Sequence, residues 1–323
     1  MISNKKQYRQ FCRTEKNISL FCRPWWLDAV CGSRNWDVAL LEKNNSLIAS
    51  MPYYKVKQKL FHVIKMPLLT QTMGPFIKYP PGQKYSKKIS FEKKIMNELI
   101  KQLPRCSVFK QKFHYQISNW LPFFWQGYSQ TTLYTYIIKK DISWNDLEQN
   151  FNSNVKRKIK KAKQSAISVT AANDPELFYS LNRKSFYRQK KKIPYSLKFI
   201  QNLYKACKTN QAVKILYAQN KNNKKTAAAF LVYDNNSVYY LMGGIDPDYN
   251  YPGAMDLVHL QGIKFALQSG RNYNFEGSMV ENIENYFRSF GAVQQPYFLI
   301  TKINSKIYKT LLFIKEISKK IDV

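Results

Sequence analysis

Residues 238–268 read VYYLMGGIDPDYNYPGAMDLVHLQGIKFALQ. The run 238–242 has strand character, Gly243-Gly244 ends it, a polar loop crosses, and Pro252-Gly253-Ala254 opens a helix that extends to Gln268. Small residues at a first helical turn let backbone amides approach phosphate oxygens, and the helix dipole adds about half a positive charge there. Two readings stand side by side. One is an anion site at a strand end, bound by Met242, Gly243, Gly244, Gly253 and Ala254; the other is an ordinary strand-to-helix turn.

The flanking chain supplies the context. Upstream, a helix over 144–166 precedes a strand over 167–170, and Asp174-Pro175 caps the first of two helices, 175–189 and 197–208. Strands follow at 213–219, 226–233 and 238–242, joined by the turns Asn222-Asn223 and Asn235-Asn236. Downstream come a strand over 273–276, a helix over 283–290 and a strand over 297–303. The first half has the same order more loosely: a helix at 24–30, a hairpin at 36–41 and 47–54, a Pro- and Gly-punctuated loop, a helix at 87–102, and strands at 107–113 and 133–138. This order implies a duplicated unit, although no sequence repeat accompanies it.

Four motifs resemble the GNAT superfamily, in particular its Fem-type branch of peptidoglycan aminoacyltransferases and their acetyltransferase-like relatives. They are Arg157-Lys158-Ile159-Lys160-Lys161-Ala162, the Gly243-Gly244 strand end before Tyr251-Pro252, Asn274-Phe275-Glu276-Gly277-Ser278, and Phe287-Arg288-Ser289-Phe290-Gly291. The last looks like the Fem-type F-K-x-x-F-G signature with Arg288 in place of lysine. The resemblance implies an α/β fold with mixed sheets and two tandem GNAT-like domains, at 1–142 and 143–305, followed by a basic amphipathic helix at 306–323. It also implies an acyltransferase with acyl-CoA (acetyl-CoA) or aminoacyl-tRNA as donor. The usual coenzyme A loop, R/Q-x-x-G-x-G/A, aligns with Asn250-Tyr251-Pro252-Gly253-Ala254-Met255 and keeps only its first glycine. Phe287 occupies the place of the tyrosine acid of many acetyl-CoA enzymes, and Tyr286 lies one residue away.

Composition bounds the rest. The 323 residues suffice for two cores, and 52 Lys plus Arg against 20 Asp plus Glu leave a net charge of +32. Such an excess attracts polyanions: tRNA, an anionic membrane surface, or a nucleotide-linked substrate. Five cysteines without a C-x-x-C pair point to free thiols and a cytoplasmic chain, peripheral at the inner membrane face. The three histidines lack the spacing of a zinc site, no G-x-S-x-G elbow occurs, and no metal is expected.

Amine acylation needs a base, oxyanion donors and a path for the leaving group. Glu276, at a strand end beside a glycine, is the leading base candidate; capping or pairing with Arg271 or Arg288 is its structural alternative. Arg288 either holds phosphate or the oxyanion, or pairs with Glu284 at helical spacing. Tyr286 is the neighbouring acid candidate, and backbone amides at 242–244 are the oxyanion donors. Arg157, Lys160, Lys161, Arg183 and Arg188 are the candidate substrate- or polyanion-binding cations. The aromatic cluster Trp120, Phe123, Phe124, Trp125 and Tyr128 reads as core or as a stacking surface. The C-terminal helix carries Ile307, Leu311, Ile314 and Ile321 on one face and Lys306, Lys309, Lys315, Lys319 and Lys320 elsewhere, which suits either an anionic membrane or packing against the protein. The expected activity is N-acyl transfer to a small-molecule amine or a nucleotide-linked envelope precursor, the alternatives being tRNA-dependent aminoacyl transfer and an inactive GNAT module that binds nucleic acid or membrane.

Overall fold

The computed structural model describes residues 3–249 and 251–321, with side chains as far as Ile314. Asn250 and the side chains of Lys315, Lys319, Lys320 and Ile321 therefore lie outside the described residues. The chain divides into two compact units: residues up to Leu133 together with those from Pro296 onward, and Tyr134–Gln295.

The first unit contains α1 (Asn4–Thr14), α2 (Pro24–Cys31), β1 (Trp36–Lys43), β2 (Ser46–Gln58), β3 (Phe61–Lys65), β4 (Phe76–Ile77), α3 (Tyr85–Lys101), β5 (Val108–Lys112) and α4 (Leu121–Trp125), and β6 (Ser129–Ile138) leads out of it. β2 pairs antiparallel with β1 and β3, while β3 pairs parallel with β5. α3 lays Ile95, Met96 and Leu99 over this sheet, in one cluster with Met51, Ile64, Phe109 and Phe113. That spacing is the apolar stripe of an amphipathic helix.

The second unit contains α5 (Trp144–Gln149), α6 (Ser153–Gln164), β7 (Ser168–Ala171), α7 (Pro175–Arg188), α8 (Leu197–Thr209), β8 (Val213–Gln219), β9 (Lys225–Tyr233), β10 (Ser237–Ile245), α9 (Ala254–Gln268), β11 (Asn272–Asn274) and α10 (Glu281–Arg288); β12 (Val293–Ile303) and α11 (Lys306–Ile321) follow. Its strands lie in the order β6-β11-β10-β9-β8-β7. β10 and β11 are parallel, and the other pairs are antiparallel. Both faces are covered, so β9 is apolar nearly throughout. Ala227, Ala229 and Leu231 join α6 and α9 in one cluster, while Phe230 meets Phe178 of α7 and Tyr204 of α8 on the other face.

Three expectations change. The helix read over 144–166 is two helices. Phe151 is buried at their corner, and the Asn152 carboxamide accepts a hydrogen bond from the Asn154 amide to start α6, which is the capping preference of asparagine. Gly243-Gly244 do not end a strand, because β10 runs on to Ile245. The domain limits also shift. Ile137 and Ile138 of β6 pair with β11 inside the second unit, whereas Leu299–Ile303 of β12 pair with β5 inside the first, and Tyr308 of α11 packs its ring on Phe61, 5.0 Å between centroids. Helix α1 and strand β3 had no counterpart in the sequence reading.

Candidate active site

β10 and β11 pair only through Ser237–Asn272, Val238–Tyr273 and Tyr239–Asn274. Beyond Tyr239 they part, and β10 carries a bulge between Tyr240 and Met242, a device that turns a strand and re-aims its side chains. The freed edge of β10 is met by α7. Asn182 donates its amide to the Gly243 carbonyl at 2.6 Å, while Ser185 accepts from the Ile245 amide at 2.7 Å. By strand alternation the Gly243 amide faces this same edge.

The glycines have packing reasons for being glycine. A side chain at Gly244 would stand 2.5 Å from the Asn182 backbone nitrogen, and one at Gly243 would overlap the Tyr240 hydroxyl. Gly253, at φ +87°, caps α9 in the left-handed region. Its missing side chain leaves room for the Lys158 carbonyl of α6. Ala254 is buried at 3% exposure and Met242 at 6%.

Across the divergence stands Glu276, buried at 5% exposure and held at φ +67°. A non-glycine residue in the left-handed region is strained and persists only where its surroundings impose it. Here the Asn274 carboxamide oxygen accepts both the Glu276 amide (2.8 Å) and the Thr135 hydroxyl (2.7 Å), and Gly277 presses against the Tyr134 carbonyl. The strand end is thus pinned with its carboxylate inside.

The interior between α9, α10 and these strands is aromatic. His259 is fully buried; its Nδ1 lies 3.0 Å from the Tyr273 hydroxyl and its ring 4.5 Å from that of Tyr240. Burial lowers its pKa to about 3, so the imidazole is neutral. Tyr286 turns its hydroxyl into this interior, where it has no hydrogen-bond partner among the described residues, and burial raises its pKa well above the usual value. Asp256, in the first turn of α9, is 5% exposed; burial raises its pKa, against the pull of Lys158 and of its own backbone amide.

Phe287 and Phe290 belong to the core, and Phe290 meets Phe151 at 5.8 Å. The Ser289 carbonyl accepts the Asn152 amide at 2.9 Å, and Gly291 abuts Asn150. The motif therefore locks α10 to the α5–α6 corner. Only Ser289 separates Arg288 from Phe290, one residue fewer than in the Fem-type signature. Arg288 points outward, paired with Glu284 at 2.8 Å and bonded to Asn285 at 2.6 Å; this ion pair raises the arginine and lowers the glutamate. Arg288, Tyr286 and Lys158 line one polar cavity of about 530 Å³ with Asn150, Asn154 and Asn282. Glu276 is not among the residues that line it.

Arg157, Lys160 and Lys161 are exposed along α6, as are Arg183 and Arg188 along α7. Lys184, which reads in sequence as one more cation of the polyanion-binding row, instead pairs with Asp246 at 2.7 Å, a contact its sequence neighbours do not signal. The aromatic cluster divides: Phe123 is fully buried between Phe113 and Tyr128, whereas Phe124 and Trp125 are 56% and 53% exposed.

A strand pair that parts around a bulge, backed by a helix with a left-handed glycine cap, defines a GNAT-type acyltransferase unit. Residues 149–281, which lie inside the second unit, match the family described as acetyltransferase (GNAT) domain. The two-unit framework resembles FemX at 11% identity and TM-score 0.68, covering 92% of this chain and 96% of that one. It also resembles L-PGS from Bacillus licheniformis, at 12% identity and TM-score 0.53 with 96% of each chain covered, and a tandem GNAT protein from the clavulanic acid biosynthesis pathway, at 7% identity and TM-score 0.50 with 93% and 94% covered. The fold is thus a tandem GNAT fold, with the acetyltransferase match inside its second unit. No curated protein sequence matches it.

The α9 first turn fits a coenzyme A pyrophosphate poorly. The Lys158 carbonyl backs Gly253 and the Asp256 carboxyl sits in the turn itself, and both present oxygen to a ligand made of oxyanions. Among the described residues no helix is long and apolar enough to cross a membrane.

Proposed function

We propose that the chain moves an acyl group from an adenine-nucleotide carrier to an amine, with the reaction at the divergence of β10 and β11. The observation that carries this reading is Glu276, a buried carboxylate at the end of β11 in a backbone conformation that costs free energy. As the N–C bond forms, the carboxylate takes the proton the amine loses, and the Gly243 amide faces the developing oxyanion; the tetrahedral intermediate then breaks its C–S or C–O bond to the carrier, which leaves as thiol or hydroxyl on receiving that proton from Glu276. Glu276→Gln keeps the shape and removes the base. Turnover should fall about 100-fold or more with donor affinity nearly intact; full turnover in the variant overturns the assignment.

Two carriers share the adenine nucleotide. The GNAT domain match supports acyl-CoA. The occupied first turn of α9, the exposed cations of α6 and α7 and the +32 charge support charged tRNA, whose phosphates would meet those cations outside the turn. Thermal shift with acetyl-CoA, longer acyl-CoAs and charged tRNA separates them through linkage. The Fem-type resemblance supports an envelope-precursor amine as acceptor. It also suits a chain working beside an anionic membrane, reached through α11, whose Ile307, Leu311 and Ile314 are 69%, 52% and 53% exposed.

A further inference from the structure

The first unit holds a cavity of about 610 Å³ that lies outside the acetyltransferase match. Its wall is built from distant segments: the end of α1, residues 17–22, the stretch 73–79, α3, and residues 114–117. The wall is fixed. Gly74 stands at φ +103°, and the Phe113 ring occupies the space a side chain would need, 2.6 Å from an ideal Cβ. Met73 donates its amide to the Lys112 carbonyl at 2.7 Å, which holds the stretch against the end of β5.

The lining is two-sided. Cys22, Met73 and Ile77 are buried apolar side chains. Lys78, Lys88 and His114 supply the basic side of the lining. The one carboxylate is Glu15, whose side chain is 11% exposed; it accepts the Asn17 amide at 3.1 Å and faces Lys78 at 3.8 Å. That pair neutralises itself. Lys88 remains, its ammonium 4.7 Å from the centre of the Tyr79 ring. Inside the wall, the Ser19 hydroxyl is buried without a hydrogen-bond partner among the described residues, and a buried hydroxyl left unmade costs free energy that a ligand oxygen can return.

We propose that this cavity binds a small molecule with an anionic head and an apolar body. Lys88 meets the head, the Cys22–Met73–Ile77 side receives the body, and Ser19 contributes a hydroxyl. The volume falls within the range of small-molecule sites, roughly 300–1,000 Å³. A carboxylate and a phosphate monoester present the same chemistry to an ammonium. The net positive charge of the lining excludes a cationic ligand as its natural occupant.

The test is calorimetric titration of the full chain with octyl phosphate and octanoate, and with inorganic phosphate and octanol as half-ligands. Saturable binding of one octyl anion, about tenfold or more tighter than either half-ligand, is expected. Which octyl anion binds tighter tells phosphate from carboxylate. Lys88→Glu should weaken binding about tenfold or more and Lys88→Arg should restore it; Lys88 is exposed, so both variants should fold. Unsaturable binding, equal binding of octanol, or an unaffected Lys88→Glu overturns the proposal. Repeating the titration on Glu276→Gln keeps the outcome separate from the transfer reaction, since the two sites lie in different units.

Discussion

Gly253 and Lys158 meet backbone to backbone, so closely that a side chain on the glycine would overlap the lysine carbonyl oxygen. The contact brings the basic helix α6 against the start of α9. Gly253→Ala must strain a left-handed φ and push two helices apart at once, and the expected loss is about 2–4 kcal/mol. Gly82→Ala is the control, with φ +67° and open space around it; it should lose only about 1 kcal/mol. Urea unfolding of the two variants checks the difference, and equal losses would remove the α6–α9 contact as the cause.

His259 makes stability depend on acidity. Its pKa is about 3 in the fold against 6.5 for an unperturbed histidine, so between these values the unfolded chain binds the proton and the native chain does not. Stability from this group is complete above pH 6.5 and falls as pH drops toward 3, by about 1.4 kcal/mol per pH unit. Asp256 works in the opposite sense just above 3.8, because its folded pKa is raised and the native state there holds the extra proton. Chemical unfolding across this pH window should show a shallower slope in His259→Phe; an unchanged slope would place the proton uptake elsewhere.

The exposed row Arg157, Lys160 and Lys161 should act on polyanions without acting on the fold. Replacing all three with alanine is expected to lower the slope of log affinity against log salt for tRNA by about two, at 0.7–0.9 per lost phosphate contact. The melting temperature should hold. A slope equal to that of the parent protein would take α6 out of any nucleic-acid contact.

α11 presents Ile307, Leu311 and Ile314 outward, at the spacing of one helical face. Phosphatidylglycerol vesicles should co-sediment with the chain and phosphatidylcholine vesicles should not, and Leu311→Asp should abolish the association. Concentration-dependent self-association of the parent protein, lost in Leu311→Asp and indifferent to vesicles, would instead make the stripe a contact between copies.

Much of the fold was legible because local signals agree with it. The strand at 213–219 and the helices beginning at Pro175, Leu197 and Ala254 were placed correctly, and the Asp174 cap exists as read, its carboxylate accepting the Leu177 amide at 2.9 Å. Helix α1 escaped because only Tyr8 and Cys12 are buried along it, a stripe too thin to show as periodicity. The α5–α6 break escaped because its two helices share one apolar phase. At the candidate site, the place of Glu276 just beyond a strand end was legible, yet its left-handed backbone had no sequence signal, since glutamate is not a residue that advertises it.

Sequence alone determined the tandem order of elements, the residue types of the motifs and the cationic excess, because periodicity, capping and charge are local properties of the chain. Tertiary structure alone decided what each special residue faces. Gly253 reads as room for a phosphate until the Lys158 carbonyl is found in that room, and of the two readings open to Arg288 the structure shows the pair with Glu284. The cavity of the first unit is likewise assembled from segments far apart in the chain. Which atom lies beyond a side chain depends on contacts between distant residues, and those are fixed only when the whole core packs.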